Sequence, residues 1–130
     1  MDDLREAAAA AMRRAYAPYS QFRVGAAIRA ADGTIYAGCN VENSSFPAGM
    51  CAERNALGAA VAAGRQDFTH VVIVTEADAP TPPCGICRQA LVEFAPTIAI
   101  TSVGALGASA TWSLGDLLAA PFTGQSLRHA

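Results

Sequence analysis

Three of the four cysteines in this 130-residue chain fall in two short motifs, Cys51-Ala52-Glu53 and Pro83-Cys84-Gly85-Ile86-Cys87. Each motif opens a predicted helix, where backbone N–H groups and the helix dipole favour thiolate, the form of cysteine that binds metal. Cys84 and Cys87, three apart on a first helical turn, can reach one ion, and Cys51 from a second helix completes a pyramid of sulfurs. Zinc takes four tetrahedral ligands, so three protein ligands leave one position for water, which separates a catalytic site from a structural one. Glu53 lies close enough to face the metal without coordinating it, the placement needed by a carboxylate that moves protons. Two alternatives compete. A closed four-cysteine site would recruit Cys39 and leave Glu53 without a task, and a redox dithiol at Cys84 and Cys87 would explain neither Cys51 nor Glu53. Cys39 sits in an alternating apolar run and reads more simply as a core thiol.

The elements that must position these groups follow from periodicity and breakers. Residues 2–16 predict a helix, with Leu4, Ala8, Ala11, Met12 and Ala15 as its apolar stripe, Asp2 and Asp3 at its start and Arg13 and Arg14 at its end. Pro18 breaks it. Phe22, Val24, Ala26 and Ile28 alternate as a strand, Asp32-Gly33 is a hairpin turn, and Ile35, Ala37, Cys39 and Val41 alternate as its partner. A loop over 43–50 leads to a helix over 51–63 that Gly64 ends. The continuous apolar run 71–75 reads as a strand buried on both faces. A proline-rich loop then leads to a helix over 85–94, a buried strand over 97–101, a weaker strand over 108–112 and a short helix over 113–119, with a loose tail beyond. This order predicts an α/β fold, a three-layer α/β/α sandwich around a mixed five-stranded sheet, as one domain over 1–130.

Composition narrows the chemistry. Hydrophobic residues make up 52% and charged residues 15%, as in a core-rich folded chain. All nine basic residues are arginine, which excludes a Schiff-base lysine, a pyridoxal-lysine linkage and a P-loop lysine. A net charge of -2 argues against a nucleic-acid partner, which calls for a basic patch. The start Met1-Asp2-Asp3 lacks the features of a signal peptide, and no apolar run is long enough for a membrane span, so a cytoplasmic protein without a membrane partner is expected. His70 and His129 have no assignable role.

Taken together, the motifs correspond to the signature of zinc deaminases that act on nucleobases. The chain resembles the small, homotetrameric, zinc-dependent cytidine deaminases of pyrimidine salvage over nearly its whole length. The resemblance rests on Tyr16-Ala-Pro-Tyr-Ser-Gln-Phe-Arg-Val-Gly-Ala-Ala27, Gly38-Cys-Asn-Val-Glu-Asn43, Cys51-Ala-Glu-Arg-Asn-Ala-Leu57, Pro83-Cys-Gly-Ile-Cys-Arg-Gln89 and Asp116-Leu-Leu-Ala-Ala-Pro-Phe122. It implies one zinc per subunit held by Cys51, Cys84 and Cys87, with Glu53 as proton shuttle. It further implies that Asn40 and Glu42 hold the ribose, chiefly its 3′-hydroxyl, that Phe22 packs against the nucleoside, and that the Ala52 backbone reads the pyrimidine. Phe122 would reach a neighbouring subunit's site, and Arg54 would hydrogen-bond the zinc thiolates, offsetting the negative charge of three thiolates on one dication. Phe46 stands where the family commonly has tyrosine, and Pro47-Ala48-Gly49 is an uncommon version of its loop. The implied reaction is hydrolysis of cytidine and 2′-deoxycytidine to the uridine forms and ammonia. Alternatives are deamination of another aminopyrimidine nucleoside, such as a blasticidin-type antibiotic, action on a polynucleotide, and a non-catalytic zinc-stapled module.

Overall fold

The elements run α1 (Asp2–Met12), β1 (Val24–Ala30), β2 (Ile35–Cys39), α2 (Ala52–Ala62), β3 (Phe68–Thr75), α3 (Gly85–Val92), β4 (Ala99–Val103), β5 (Ser109–Ser113), α4 (Leu114–Leu117) and α5 (Gly124–Arg128). They are those of a computed structural model that describes residues 2–128, so His129 lies outside the described residues. The strands form one five-stranded sheet in the order β2-β1-β3-β4-β5, antiparallel throughout except for the parallel pair β3 and β4. This is the mixed α/β sheet expected from the sequence.

Two apolar clusters cover the two faces of the sheet. On one, Leu4 and Ala8 of α1 meet Ala27, Val72, Val74 and Val103. On the other, Ala52, Ala56, Leu57 and Ala60 of α2 and Leu91 and Val92 of α3 meet Ala26, Ile28, Val71, Ile73 and Ile100. A Cβ at Gly25 would lie 1.9 Å from the Ala8 carbonyl oxygen, and one at Gly38 would lie 2.5 Å from the Ala56 nitrogen. Only glycine lets α1 and α2 come this close to the sheet.

Several boundaries differ from the sequence expectation. The first helix stops at Met12 rather than at residue 16, leaving Arg13 and Arg14 beyond its end. The chain is drawn into extended pairing there, with the Tyr16 N–H donating to the Asn40 carbonyl at 3.0 Å and the Glu42 N–H to the Tyr16 carbonyl at 2.9 Å. Strand β1 begins at Val24, so Phe22 precedes it, and Gly25 through Ile28 are all buried because helices cover both sides. Cys39 ends an edge strand and is only half-buried, not a core thiol. Strand β4 lies two residues later than its apolar run suggested, because pairing such as Val71 with Ile100 sets its limits. The closing helix spans only Leu114–Leu117, and α5 occupies part of what was expected to be a loose tail. Among the described residues, no helix is long and apolar enough to cross a membrane.

Candidate active site at two helix N-termini

Strand direction brings the cysteine motifs together. Strands β2 and β3 each pair antiparallel with β1, so they run the same way. Helix α2 follows β2 and α3 follows β3, which opens both helix N-termini at one edge of the sheet. Strand β1 starts at that edge, with Val24 opposite Thr75 and Gly25 opposite Cys39.

Cys51 is the N-cap residue of α2 and Cys84 that of α3, while Cys87 lies in the first turn of α3. The sulfurs of Cys51, Cys84 and Cys87 all lie within 4.8 Å of one another. Cys51 Sγ is 3.7 Å from Cys84 Sγ, and Cys84 Sγ is 3.4 Å from Cys87 Sγ. Tetrahedral zinc with Zn–S bonds of ~2.3 Å separates its sulfurs by about 3.8 Å. The spacing therefore fits a zinc ion, and the three cysteines are positioned to hold one. Cys39 is not part of this cluster, so a closed four-cysteine site is not supported.

The electrostatics show why this cluster suits a cation. A hydrogen bond from Cys87, aided by Arg54 and Cys84, pulls the Cys51 thiol down to about 5. The same hydrogen bond, together with burial, pushes the Cys87 thiol up. Without a cation, neighbouring thiolates oppose one another; a bound dication favours the thiolate form of all three. Arg54 Nη2 lies 3.6 Å from Cys51 Sγ, and its Nη1 lies 3.9 Å from Met50 Sδ. Its positive charge thus sits against the thiol cluster. Glu53 is only 7% exposed. Burial raises its carboxyl above the usual range, and the neighbouring Cys51 charge adds to that.

A cleft of about 240 Å³ leads to the sulfurs, lined in part by Phe22, Asn40, Glu42, Ala52 and Glu53 together with Cys51 and Cys84. The structure therefore gathers all but one of the expected substrate-contacting residues. Phe122 is the exception: it is 58% exposed and lies away from this cleft. Its carbonyl accepts a hydrogen bond from Gln89 Nε2 at 2.6 Å. Asn40 has a structural task as well, because its Nδ2 donates to the Phe22 carbonyl at 2.8 Å and its Oδ1 accepts from the Val24 N–H at 2.9 Å. This amide clips the segment before β1 to the end of β2.

The cleft is also lined by Ser20, Val24, Ile73, Thr75, Thr81 and Pro82, which no motif in the sequence singled out. Thr75 and Thr81 share a hydrogen bond at 3.3 Å across the loop between β3 and α3. Arg88 was also missed: its Nε donates to the Pro83 carbonyl at 2.8 Å and its Nη1 to the Leu117 carbonyl at 3.1 Å. It thereby ties the Cys84 loop to α4. The only available signal was its position next to Cys87, which carries no chemistry by itself.

Residues 2–103 match the family model described as the cytidine and deoxycytidylate deaminase zinc-binding region. The chain is 50% identical over 84 residues to a cytidine deaminase of Sporosarcina psychrophila, a match spanning 65% of this chain and 62% of that protein. It is 40% identical over 114 residues to a cytidine deaminase of Halalkalibacterium halodurans, spanning 87% of this chain and 86% of that one. Among solved structures, a cytidine deaminase from Burkholderia pseudomallei superposes with a TM-score of 0.89 at 45% identity, covering 93% of this chain and 98% of the other.

Proposed function

This chain belongs to the cytidine and deoxycytidylate deaminase family, and on that premise we propose that it hydrolyses cytidine and 2′-deoxycytidine to uridine and 2′-deoxyuridine, releasing ammonia. The observation that carries the reading is three sulfurs spaced for zinc beside a buried glutamate at the end of a nucleoside-sized cleft.

The zinc ion supplies Lewis acidity that makes a nucleophile of water at neutral pH. The chain's own residues account for the rest. Cys51, Cys84 and Cys87 hold the ion, and Arg54 offsets the excess negative charge of three thiolates. Glu53 takes a proton from the attacking water and delivers it to N3 of the ring, then helps protonate the amino group leaving C4. Phe22 packs against the ring, the Ala52 backbone reads the pyrimidine, and Asn40 and Glu42 hold the sugar. Asn40 keeps one amide N–H beyond the one it spends on Phe22, enough for one sugar hydroxyl.

The assembly we propose is a homotetramer of single-domain subunits with shared sites, acting on free nucleosides in pyrimidine salvage in the cytoplasm. Exposed Tyr16, Tyr19, Val41, Phe46 and Met50 support a buried subunit contact, as does Phe122, which lies outside its own chain's cleft. Light scattering should give four chains per particle; a monomer with full activity would overturn the shared site. An ultraviolet assay on cytidine, with metal analysis of the same sample, tests the activity directly. Turnover abolished by chelation and restored by zinc is expected. Turnover that survives complete loss of metal would overturn the reading. Including blasticidin-type and single-stranded DNA substrates separates the two rival deaminase activities.

A further inference from the structure

We propose that Ser20 is the positioning residue of the sugar subsite, fixing the Glu42 carboxylate so that one acceptor site remains free for one sugar hydroxyl. This rests on the proposed nucleoside deamination.

Three donors from one short segment converge on Glu42. Oε1 accepts the Tyr19 N–H at 2.9 Å and the Ser20 N–H at 3.0 Å. Oε2 accepts the Ser20 hydroxyl. A carboxylate offers about four lone-pair directions, so three donors leave one. The free direction belongs to Oε2, because Oε1 already takes two.

Ser20 is itself held. Its Oγ accepts the Phe22 N–H at 3.1 Å, so the residue that orients Glu42 also fixes the backbone of the residue expected to pack on the ring. Gln21 between them has a φ of 57°, in the left-handed region that non-glycine residues adopt only when surrounding contacts enforce it. The Gln21 N–H bonds the Ala17 carbonyl at 3.0 Å, which closes the turn. Ser20 and Glu42 line the cleft and also a second recess of about 410 Å³ formed with Tyr19, Asn43, Phe46 and Gly49. The pair stands where the two spaces meet.

The hydrogen bond from Ser20 is also foremost in holding the Glu42 carboxyl below the usual range, keeping it an acceptor. With one acceptor site on Glu42 and one spare N–H on Asn40, the subsite serves a single hydroxyl that accepts from one and donates to the other. The second hydroxyl of a ribose gains nothing from Glu42.

The test compares the zinc-loaded wild type with Ser20→Ala and Ser20→Thr on cytidine, 2′-deoxycytidine and 3′-deoxycytidine. Ser20→Ala should raise KM for the first two about tenfold while kcat stays within about twofold, the loss of one hydrogen bond to a charged group. Ser20→Thr, which keeps the hydroxyl, should restore KM. On the analogue without a 3′-hydroxyl, Ser20→Ala should lose much less than on cytidine, only what the loosened Phe22 backbone costs. A loss on 3′-deoxycytidine as large as that on cytidine, or an unchanged KM on cytidine, would overturn the proposal. NMR titration of Glu42 gives a readout that needs no turnover: its carboxyl should rise toward the ordinary range in Ser20→Ala, and an unmoved titration would also overturn the proposal. A wild type inactive on every nucleoside would instead defeat the proposed function, while that titration still decides the role of Ser20.

Discussion

Cys51 and Cys84 cap the N-termini of different helices, and their sulfurs lie 3.7 Å apart although 33 residues separate them. Neither position is defined by its own helix alone. The contact exists because β2 and β3 run in the same direction on either side of β1, so the helices that follow them start side by side. Two positive helix ends then face one sulfur cluster.

The first expectation concerns this cluster. Cys51→Ser, Cys84→Ser or Cys87→Ser should each cost zinc and activity together. Cys39→Ser should retain both, because Cys39 lies outside the cluster. Metal analysis by plasma spectrometry checks it. Zinc loss in the Cys39 variant would revive the closed four-cysteine site.

Glu53→Gln should keep the zinc and lower kcat by at least about 10²–10⁴-fold, the range for removing a general acid-base. Its melting temperature should hold or rise, since a neutral amide avoids the cost of ionising a carboxylate that is only 7% exposed. Turnover near wild type in a zinc-loaded sample would remove Glu53 from the proton path.

Arg54→Gln should be milder. It takes a positive charge from beside the Cys51 sulfur without removing a ligand or a proton carrier. A loss of about 10–100-fold in zinc affinity or kcat is expected, as for other groups that support a metal ligand. Competition with a chelator of known affinity measures the first, and steady-state kinetics the second.

Gly38→Ala tests how the site is held from behind. The added methyl would meet the Ala56 nitrogen at 2.5 Å and the Ala52 carbonyl oxygen at 2.8 Å, atoms of the helix that carries Glu53. Stability should fall by about 1–3 kcal/mol, the usual cost of overpacking. Chemical denaturation reads this, and kcat should fall with it as the first turn of α2 is displaced.

His70 offers a pH-dependent expectation away from the site. Its Nε2 pairs with the Thr101 hydroxyl at 2.9 Å, and that hydroxyl pairs with the one on Thr111 at 2.9 Å. Burial, with the charge of Arg29 on the adjacent strand, lowers the His70 proton affinity. The unfolded chain therefore takes up this proton first, from about pH 6.5 downward. Stability should fall with pH below that value and level off once the folded His70 is itself protonated. In His70→Gln this part of the slope should vanish, which urea titrations at several pH values would show.

Residue type and spacing were enough to show which chemical groups the candidate site holds. Thiols at the starts of two helices, with a glutamate two residues from one of them, are features of local order, and local order is what residue type and spacing encode. The five strands and the main helices were legible for the same reason, through periodicity and breakers. Features that depend on pairing between distant segments came only with the folded chain. The fold ended α1 at Met12 because Tyr16 is claimed by Asn40 and Glu42, and it shifted β4 because β3 sets its register. It left Phe122 outside the cleft of its own chain. Most of all, it set the hydroxyl of Ser20, an ordinary turn residue in the sequence, against the Glu42 carboxylate 22 residues away. A hydrogen bond between two loops follows no periodicity, so it is found only once both loops are in place.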